Sequence, residues 1–239
     1  MHAFMRNPIF NSSHRWFDIK AQGDEEASIR IYDYIGWGGV GAKEFSDSLD
    51  QIKAKRINVM INSPGGDVFD GLAIYNSLKN HGAEIHVTVD GIAASIASVI
   101  AMAGDTIVMG EFSFMMIHNP WTVAIGNASD MREIAALLDK VGGSLRSLYA
   151  KRSGAPIEQI TAWMEAETMF TAQEAVAAKL ADRVATAEKA SSPDKVGDSV
   201  RQVIAETEAQ INGVDGDIES SVERMRRRIA LVERGDHSR

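Results

Sequence analysis

Ser95 follows closely after a sequence pattern that is typical of a β-strand. Residues 84–90 carry three β-branched apolar residues at every second position, which predicts a strand. Gly91 then allows a turn, and the small residues 93–103 predict a buried helix. Ser95 would lie on the first turn of that helix, where free N–H groups and the helix dipole can stabilise an oxyanion. This pattern favours acyl-transfer chemistry, although an Ala/Ser-rich helix that only packs closely would look the same.

A second strand-to-helix junction is rich in glycine. The apolar run 57–62 predicts a buried strand, residues 63–67 read Ser-Pro-Gly-Gly-Asp, and a helical pattern resumes at Val68. Two glycines at such a junction can aim backbone N–H groups into a cleft, but they also fit an ordinary turn. Because neighbouring parallel strands end at one edge of a sheet, we expect this junction to lie beside Ser95.

His118 is the histidine best placed to act as a base. It ends the apolar strand pattern 114–118, which follows the serine helix, whereas the others lie in the termini or flank the strand 84–90. From there it could reach an active serine. Glu165 and Glu167 fall in the connection between two predicted helices. A lone histidine or glutamate is more often packed or solvated than catalytic, so these candidates depend on being brought together.

The remaining pattern predicts an α/β protein. Strands are expected at 28–35 and 106–110, with a helix between the first of these and 57–62. Asp130 and Glu133 predict the start of a long helix that ends at Gly154, and Pro156 starts another. Thr171 and Glu174 form a predicted capping box for a helix that ends near residue 181.

Composition narrows the function classes. The chain has 239 residues, 45% of them hydrophobic, which is enough for a sizeable core. Cysteine is absent, so cysteine nucleophiles and thiolate metal ligands are excluded, and we expect no metal and no cofactor. The net charge of −8 argues against nucleic-acid binding. Without a long apolar run or the apolar core of a signal peptide, we expect a cytoplasmic protein with no membrane partner.

Four ordered motifs resemble the ClpP family of serine peptidases. They are 61–66 (Ile-Asn-Ser-Pro-Gly-Gly), 91–95 (Gly-x-Ala-Ala-Ser), 116–120 (Met-Ile-His-Asn-Pro) and 171–175 (Thr-Ala-x-Glu-Ala). The resemblance covers about residues 28–185 and is strongest to the ClpP-like head maturation (prohead) proteases of tailed bacteriophages. It implies the ClpP/crotonase-like ββα superhelix, protein or peptide substrates, and a homo-oligomeric ring. For a phage protein it further implies scaffold and capsid partners, in the host cytoplasm or the precursor capsid.

The resemblance also implies roles for individual residues. Ser95 takes the place of the nucleophile and His118 that of the base, while Gly66 and Ile96 supply the oxyanion-hole N–H groups. The family usually has an aspartate as its acid, but counting back from Glu174 puts Glu167 there. A glutamate can serve the same purpose, and Glu165 remains the alternative.

Three regions are expected: a lead-in over 1–27, a peptidase domain over 28–186, and a linker with a charged extension over 187–239. The extension carries two short helical patterns, one bearing four arginines, and is either a docking arm or a partly disordered tail. The expected function is a serine endopeptidase that processes flexible segments during phage head maturation. A crotonase-type acyl-CoA enzyme and a catalytically silent ring-forming scaffold are the alternatives.

Overall fold

The computed structural model describes residues 15–36 and 40–185. The chain divides into two units, residues 1–186 and 187–239, and every described residue belongs to the first. The helical patterns predicted for the extension therefore lie outside the described residues. No helix within the described ranges is long and apolar enough to cross a membrane.

The described strands form one mixed sheet in the order β1-β2-β3-β4-β5-β8, with β6 pairing both β4 and β7. The pairs β1/β2 and β6/β7 are antiparallel, and the other pairs are parallel. The strands are β1 (Phe17–Gln22), β2 (Glu26–Tyr32), β3 (Arg56–Ser63), β4 (Glu84–Ala94), β5 (Thr106–Met109), β6 (Phe114–Met116), β7 (Met169–Thr171) and β8 (Arg183–Val184).

Helices pack against this sheet and complete a core of buried aliphatic and aromatic side chains. Ile and Val alternate with more exposed residues along β2, β3 and β4, so each of these strands turns one face to the core. The helices are α1 (Ala42–Leu49), α2 (Val68–Asn80), α3 (Ile96–Ala101), α4 (Ala128–Ser153), α5 (Ile157–Glu165) and α6 (Ala172–Ala177).

Strand β1 extends the sheet beyond the region that sequence patterns assign to the peptidase domain. It pairs antiparallel with β2, from Phe17 opposite Ile31 to Gln22 opposite Glu26. Trp16, just before it, is 2% exposed and stacks on Phe45 of α1. Residues 17–22 therefore belong to the same sheet as the predicted peptidase domain, and Trp16 and Phe17 belong to its core.

Strand β4 continues through the turn predicted at Gly91. Its first half pairs with β5, and Ile92–Ala94 then pairs with β6. The helix predicted over 93–103 is accordingly shorter and begins only at Ile96. A Cβ at Gly91 would lie 2.5 Å from the side-chain oxygen of the exposed Asn62, so another residue there would displace that side chain. The pairing with β6 is non-local, so local small-residue composition predicted the wrong boundary.

Helix α4 is continuous through the glycines at 142 and 143. Its N-cap is Asn127, whose side chain accepts hydrogen bonds from the N–H groups of Ser129 and Asp130. The capping box is thus Asn127 with Asp130, and the predicted Asp130 with Glu133 is wrong. Buried residues of α4 lie only in its second half, from Gly142 to Ser153.

Candidate active site

Ser95 lies at a sharp junction between β4 and α3. Its backbone has φ 55° and ψ −130°, a region that non-glycine residues rarely adopt. Such a conformation costs about 1 to 3 kcal/mol and persists only where the surroundings enforce it. Here the Ser95 N–H donates to the Met116 carbonyl at 2.9 Å, and the next six residues are all buried in α3. The prediction that Ser95 lies on the first helical turn is wrong by one residue, since it is the N-cap.

His118 contacts the side chain of Ser95. Its Nε2 lies 2.7 Å from the Ser95 Oγ, which is hydrogen-bond distance. The histidine follows β6, whose residue Met116 accepts the Ser95 N–H, so the strand that positions the imidazole also fixes the serine backbone. The structure therefore brings together the two residues that the sequence places 23 positions apart.

Glu167 lies near His118 but does not bond to it. The Ile117 N–H donates to the Thr168 carbonyl at 3.2 Å, which brings the segments before His118 and after Glu167 side by side. Glu167 is exposed and has φ 48°, and within the described residues no hydrogen bond joins its carboxylate to the imidazole. Glu165 is the last residue of α5 and is exposed too.

The charge of Glu167 nevertheless acts on the imidazole. Partial burial lowers the pKa of His118 below its ordinary value, and the negative charge of Glu167 raises it in part. The net lowering keeps His118 neutral near pH 7, which is the form that can accept a proton. Glu167, and not Glu165, is the carboxylate whose charge acts on the pKa of His118.

The glycine junction lies directly against the serine junction. A Cβ on Gly65 would be 2.7 Å from the Ser95 Cβ and 3.3 Å from the backbone nitrogen of Ile96. The positive φ values of Gly65 and Gly66, 103° and 155°, also favour glycine. The expectation that the two junctions lie side by side is confirmed by this contact.

Two backbone donors are free at this contact. Ile35 donates to the Gly65 carbonyl and accepts from the Asp67 N–H, so Gly66 between them turns its own N–H to the other side. The Ile96 N–H opens α3 and has no acceptor within that helix. Among the described residues, neither N–H donates a hydrogen bond to another protein group. Both are available to a negatively charged oxygen beside the Ser95 Oγ.

Sequence reasoning missed a buried pair behind the serine. The Ser98 hydroxyl donates to the Ser95 carbonyl at 2.6 Å and lies 2.7 Å from the Tyr149 hydroxyl. The available signal was a serine inside an otherwise apolar buried helix, because a buried hydroxyl needs a partner. Nothing local could identify Tyr149, which is 51 residues away.

The described residues contain no group of three or more His, Asp or Glu side chains arranged to hold a metal ion. The polar groups that converge here are a hydroxyl, an imidazole, a nearby carboxylate and two backbone N–H groups. In combination they can activate an oxygen nucleophile and stabilise the tetrahedral intermediate of acyl transfer.

The Clp protease family model matches residues 12–188, which include every element described above. The chain belongs to the Clp protease family. The expectation of a ClpP-like α/β fold is thereby confirmed, and so is that of a serine peptidase.

Several curated relatives share this region. An ATP-dependent Clp protease proteolytic subunit of Bacteroides fragilis is 34% identical over 145 residues, 59% of this chain and 68% of the relative. The corresponding subunit of Porphyromonas gingivalis is 32% identical over 145 residues, covering 59% and 63%. Proteolytic subunit 2 of Chlamydia pneumoniae is 32% identical over the same length, covering 59% and 70%. These relatives are not phage proteins by name, so the phage subtype stays a prediction.

Proposed function

We propose that this chain is a serine endopeptidase in which Ser95 is the nucleophile, His118 the general base and Glu167 the acid. The observation that carries the proposal is the 2.7 Å contact between the His118 Nε2 and the Ser95 Oγ at a strained strand-to-helix junction. A strained serine held against an imidazole is the arrangement that nucleophilic catalysis requires.

Acylation begins when the His118 Nε2 takes the hydroxyl proton of Ser95. The Oγ then attacks the carbonyl carbon of the scissile peptide, and the carbonyl oxygen of that peptide gains a negative charge. The N–H groups of Gly66 and Ile96 donate to that oxygen, which stabilises the tetrahedral intermediate. His118 returns its proton to the leaving amine, and the carbon–nitrogen bond breaks to leave an acyl-enzyme.

Deacylation repeats these steps with water. The neutral imidazole of His118 takes a proton from water as the water oxygen attacks the acyl carbon. The bond between that carbon and the Ser95 Oγ then breaks, the Oγ takes the proton back from His118, and the second product leaves as a carboxylic acid. Glu167 stabilises the imidazolium that forms in each half-reaction through its negative charge, which already raises the pKa of His118 in the resting enzyme.

A fluorophosphonate tests this proposal because it modifies only an activated serine. Intact mass of the wild-type protein should show one adduct, which Ser95→Ala should abolish together with peptide hydrolysis. Ser144→Ala is a matched control, since this serine of α4 is exposed and, among the described residues, its hydroxyl donates only to the carbonyl of Lys140. Labelling that persists in Ser95→Ala would refute the assignment. An absence of both labelling and cleavage in the wild type would favour the scaffold or acyl-CoA alternative.

We further propose that the chain assembles into a homo-oligomeric ring. Support comes from exposed apolar side chains before and along the first half of α4. Trp121, Val123 and Ile125 are 59%, 82% and 98% exposed, and Leu137 on the helix is 49% exposed. A cluster of this kind marks an interaction surface, and an identical chain is the simplest partner for a closed ring.

Light scattering at micromolar concentration tests the assembly. Leu137→Glu should reduce the particle mass while leaving the fold intact, because the side chain is already half exposed. Lys140→Glu, on an exposed position of the same helix, is the control for added negative charge. A wild-type monomer with full peptidase activity would contradict the ring.

The biological role that we propose is head maturation in a tailed phage. It rests on the resemblance of the ordered motifs to phage head proteases and on the lack of a nucleotide-binding Walker motif in this sequence. Without an unfolding activity of its own, the enzyme would cleave segments that are already flexible, such as scaffold or capsid-subunit extensions. An extended peptide can reach Ser95 by pairing with an exposed backbone edge. The relatives are named ATP-dependent, so an unfoldase partner is the competing role.

Co-expression with a matching capsid protein and scaffold separates these roles. Processing of scaffold or capsid by the wild type, and not by Ser95→Ala, supports head maturation. A chain that ends at Ala187 tests whether the arginine-bearing extension recruits the enzyme to the shell. Processing that continues unchanged without Ser95 would refute the role and leave the peptidase assignment intact.

A further inference from the structure

Two buried hydroxyl groups connect α4 to the serine junction. Ser98 of α3 is fully buried and Tyr149 of α4 is 1% exposed. The Ser98 Oγ lies 2.7 Å from the Tyr149 hydroxyl and 2.6 Å from the Ser95 carbonyl oxygen. The Ser98 N–H also donates to that carbonyl, at 3.0 Å. The backbone of Ser95 is thus held from inside the protein by two donors of Ser98, one of which contacts a second helix.

The direction of these hydrogen bonds follows from the number of protons. A serine hydroxyl has one hydrogen, and a carbonyl can only accept. The hydrogen of Ser98 therefore goes to Ser95, and Tyr149 must donate its own hydrogen to the Ser98 Oγ. Burial raises the pKa of the Tyr149 phenol, so this donor keeps its proton throughout the neutral range. Hydrogen bonds in such a chain polarise and strengthen one another.

The carbonyl of Ser95 and the N–H of Ile96 are two ends of one peptide unit. That unit is trans, since the described residues contain no cis peptide bond, so the two groups point in opposite directions. Holding the carbonyl inward therefore holds the N–H outward, beside Gly65 and the Ser95 side chain. Rotation of this peptide plane would turn the N–H away from a substrate oxygen.

We propose that Ser98 and Tyr149 are positioning residues that fix the Ile96 N–H as an oxyanion-hole donor. The inference rests on the proposed peptidase function and goes beyond it, because it assigns part of transition-state binding to α4. A serine that bonds back to the carbonyl three residues earlier is common in helices and needs no partner. The distinguishing observation is that Tyr149, on another helix, occupies the remaining side of the Ser98 oxygen and limits its rotation.

Steady-state kinetics of single variants provide the first test. Loss of a complete oxyanion-hole donor costs about 10² to 10³ in kcat, so a misaligned donor should cost somewhat less. We expect Tyr149→Phe to lower kcat about 10-fold and Ser98→Ala about 30-fold, with KM nearly unchanged, because the oxyanion exists only after attack. Tyr75→Phe is the matched control, since it removes a phenol oxygen from a half-buried tyrosine of α2.

A double-mutant cycle and a transition-state analogue provide the second test. If Tyr149 acts through Ser98, Tyr149→Phe should have no further effect in a Ser98→Ala background. A peptide boronate forms a tetrahedral adduct on the serine, so its affinity should fall in parallel with kcat. A general loss of folding would not produce this selectivity, and thermal unfolding of each variant measures that loss directly.

Three outcomes would overturn the inference. The first is a change in kcat no larger than that of Tyr75→Phe, and the second is independent, multiplicative effects of the two substitutions. The third is a parallel change in kcat and KM with unaltered boronate affinity. In all three cases fluorophosphonate labelling of the wild type would still support the proposed function. A wild type that neither labels nor cleaves would overturn both proposals together.

Discussion

The two strand-to-helix junctions of the site solve one geometric problem with different residues. Each must end a parallel strand, start a helix and leave a backbone N–H unpaired near the Ser95 Oγ. The junction after β3 does so with Gly65 and Gly66, for which φ values of 103° and 155° carry little cost. The junction after β4 does so with Ser95 at φ 55°, where a side chain is strained but chemically necessary.

Each junction is held by a different anchor. Asp67 caps α2 after the glycines, and its carboxylate accepts from the N–H groups of Phe69 and Asp70. The serine junction is held by the Met116 carbonyl in front and by Ser98 behind. The comparison indicates that the glycine junction combines a local helix cap, Asp67, with backbone hydrogen bonds to Ile35. The serine junction combines a local anchor, Ser98, with a hydrogen bond from the Ser95 N–H to the Met116 carbonyl beside β6.

The largest effect should come from the serine junction. We expect His118→Ala and Ser95→Ala each to lower kcat by about 10⁴-fold, because neither group acts without the other. The double variant should be no more than a few fold slower than either single variant. Rates with a fluorogenic peptide measure this, and additive losses would show that the two residues do not act as a unit.

The backbone around Gly66 leaves no room for a side chain, so substitution of this glycine should also have a severe effect. A Cβ there would lie 2.1 Å from the Ile35 carbonyl oxygen, which is backbone and cannot move aside. We expect Gly66→Ala to destabilise the fold by roughly 2 to 4 kcal/mol. The folded fraction should also lose about 10²-fold in kcat, as its oxyanion donor is displaced.

Gly143→Ala is the matched control for that substitution. Gly143 lies within α4 and a Cβ there would contact nothing within 4 Å, so alanine should stabilise the helix by up to about 1 kcal/mol. Chemical denaturation of both variants measures the contrast. A Gly66→Ala protein as stable and active as the wild type would mean that the glycine junction is not a constrained part of the site.

The same contrast explains what the sequence could and could not predict. The β3 junction combines an apolar strand, a Pro-Gly-Gly turn and a helix start, and the helix begins at Val68 as predicted. The β4 junction was misplaced because residues 93 and 94 were predicted as helix from their composition, whereas pairing with β6 keeps them extended. Local signals define the first junction, and a distant strand defines the second.

Some side-chain contacts at the site could be predicted from the sequence, and others could not. The order of strands was sufficient to bring Ser95 and His118 together. The orientation of Glu167 depends on a φ of 48° in a short connection, and no periodicity reveals such an angle. Tyr149 reads as one apolar residue among several on α4, and only the packing of α4 on α3 shows that its hydroxyl has a buried partner.

The role of Glu167 as the acid near the serine junction can be tested in the same way. We expect Glu167→Gln to lower kcat roughly 10-fold, because the imidazolium loses a nearby negative charge. Glu167 raises the pKa of His118, so its removal should move the acid limb of the pH–rate profile to lower pH. Rates fall on that limb as pH drops and His118 becomes protonated.

Glu165→Gln is the control. This exposed residue ends α5, and the charge that acts on the pKa of His118 is that of Glu167. Glu165→Gln should change neither the rate nor the profile. The reverse pattern, with Glu165→Gln impaired and Glu167→Gln silent, would transfer the acid role two residues toward the amino terminus.

The smallest effect should come from the anchor of the glycine junction. Asp67→Ala removes the side-chain acceptor for two N–H groups of α2, each at 2.9 Å, and such a cap is worth about 1 kcal/mol. Because Gly66 directly precedes Asp67, we expect kcat to fall two- to threefold as well. Asp47→Ala is the control, since it removes only an exposed ion pair with Lys43 on α1. Urea unfolding of both variants decides between the anchors. An Asp67→Ala protein indistinguishable from Asp47→Ala would mean that Ile35 and the Gly-Gly backbone hold this junction without help from the helix cap.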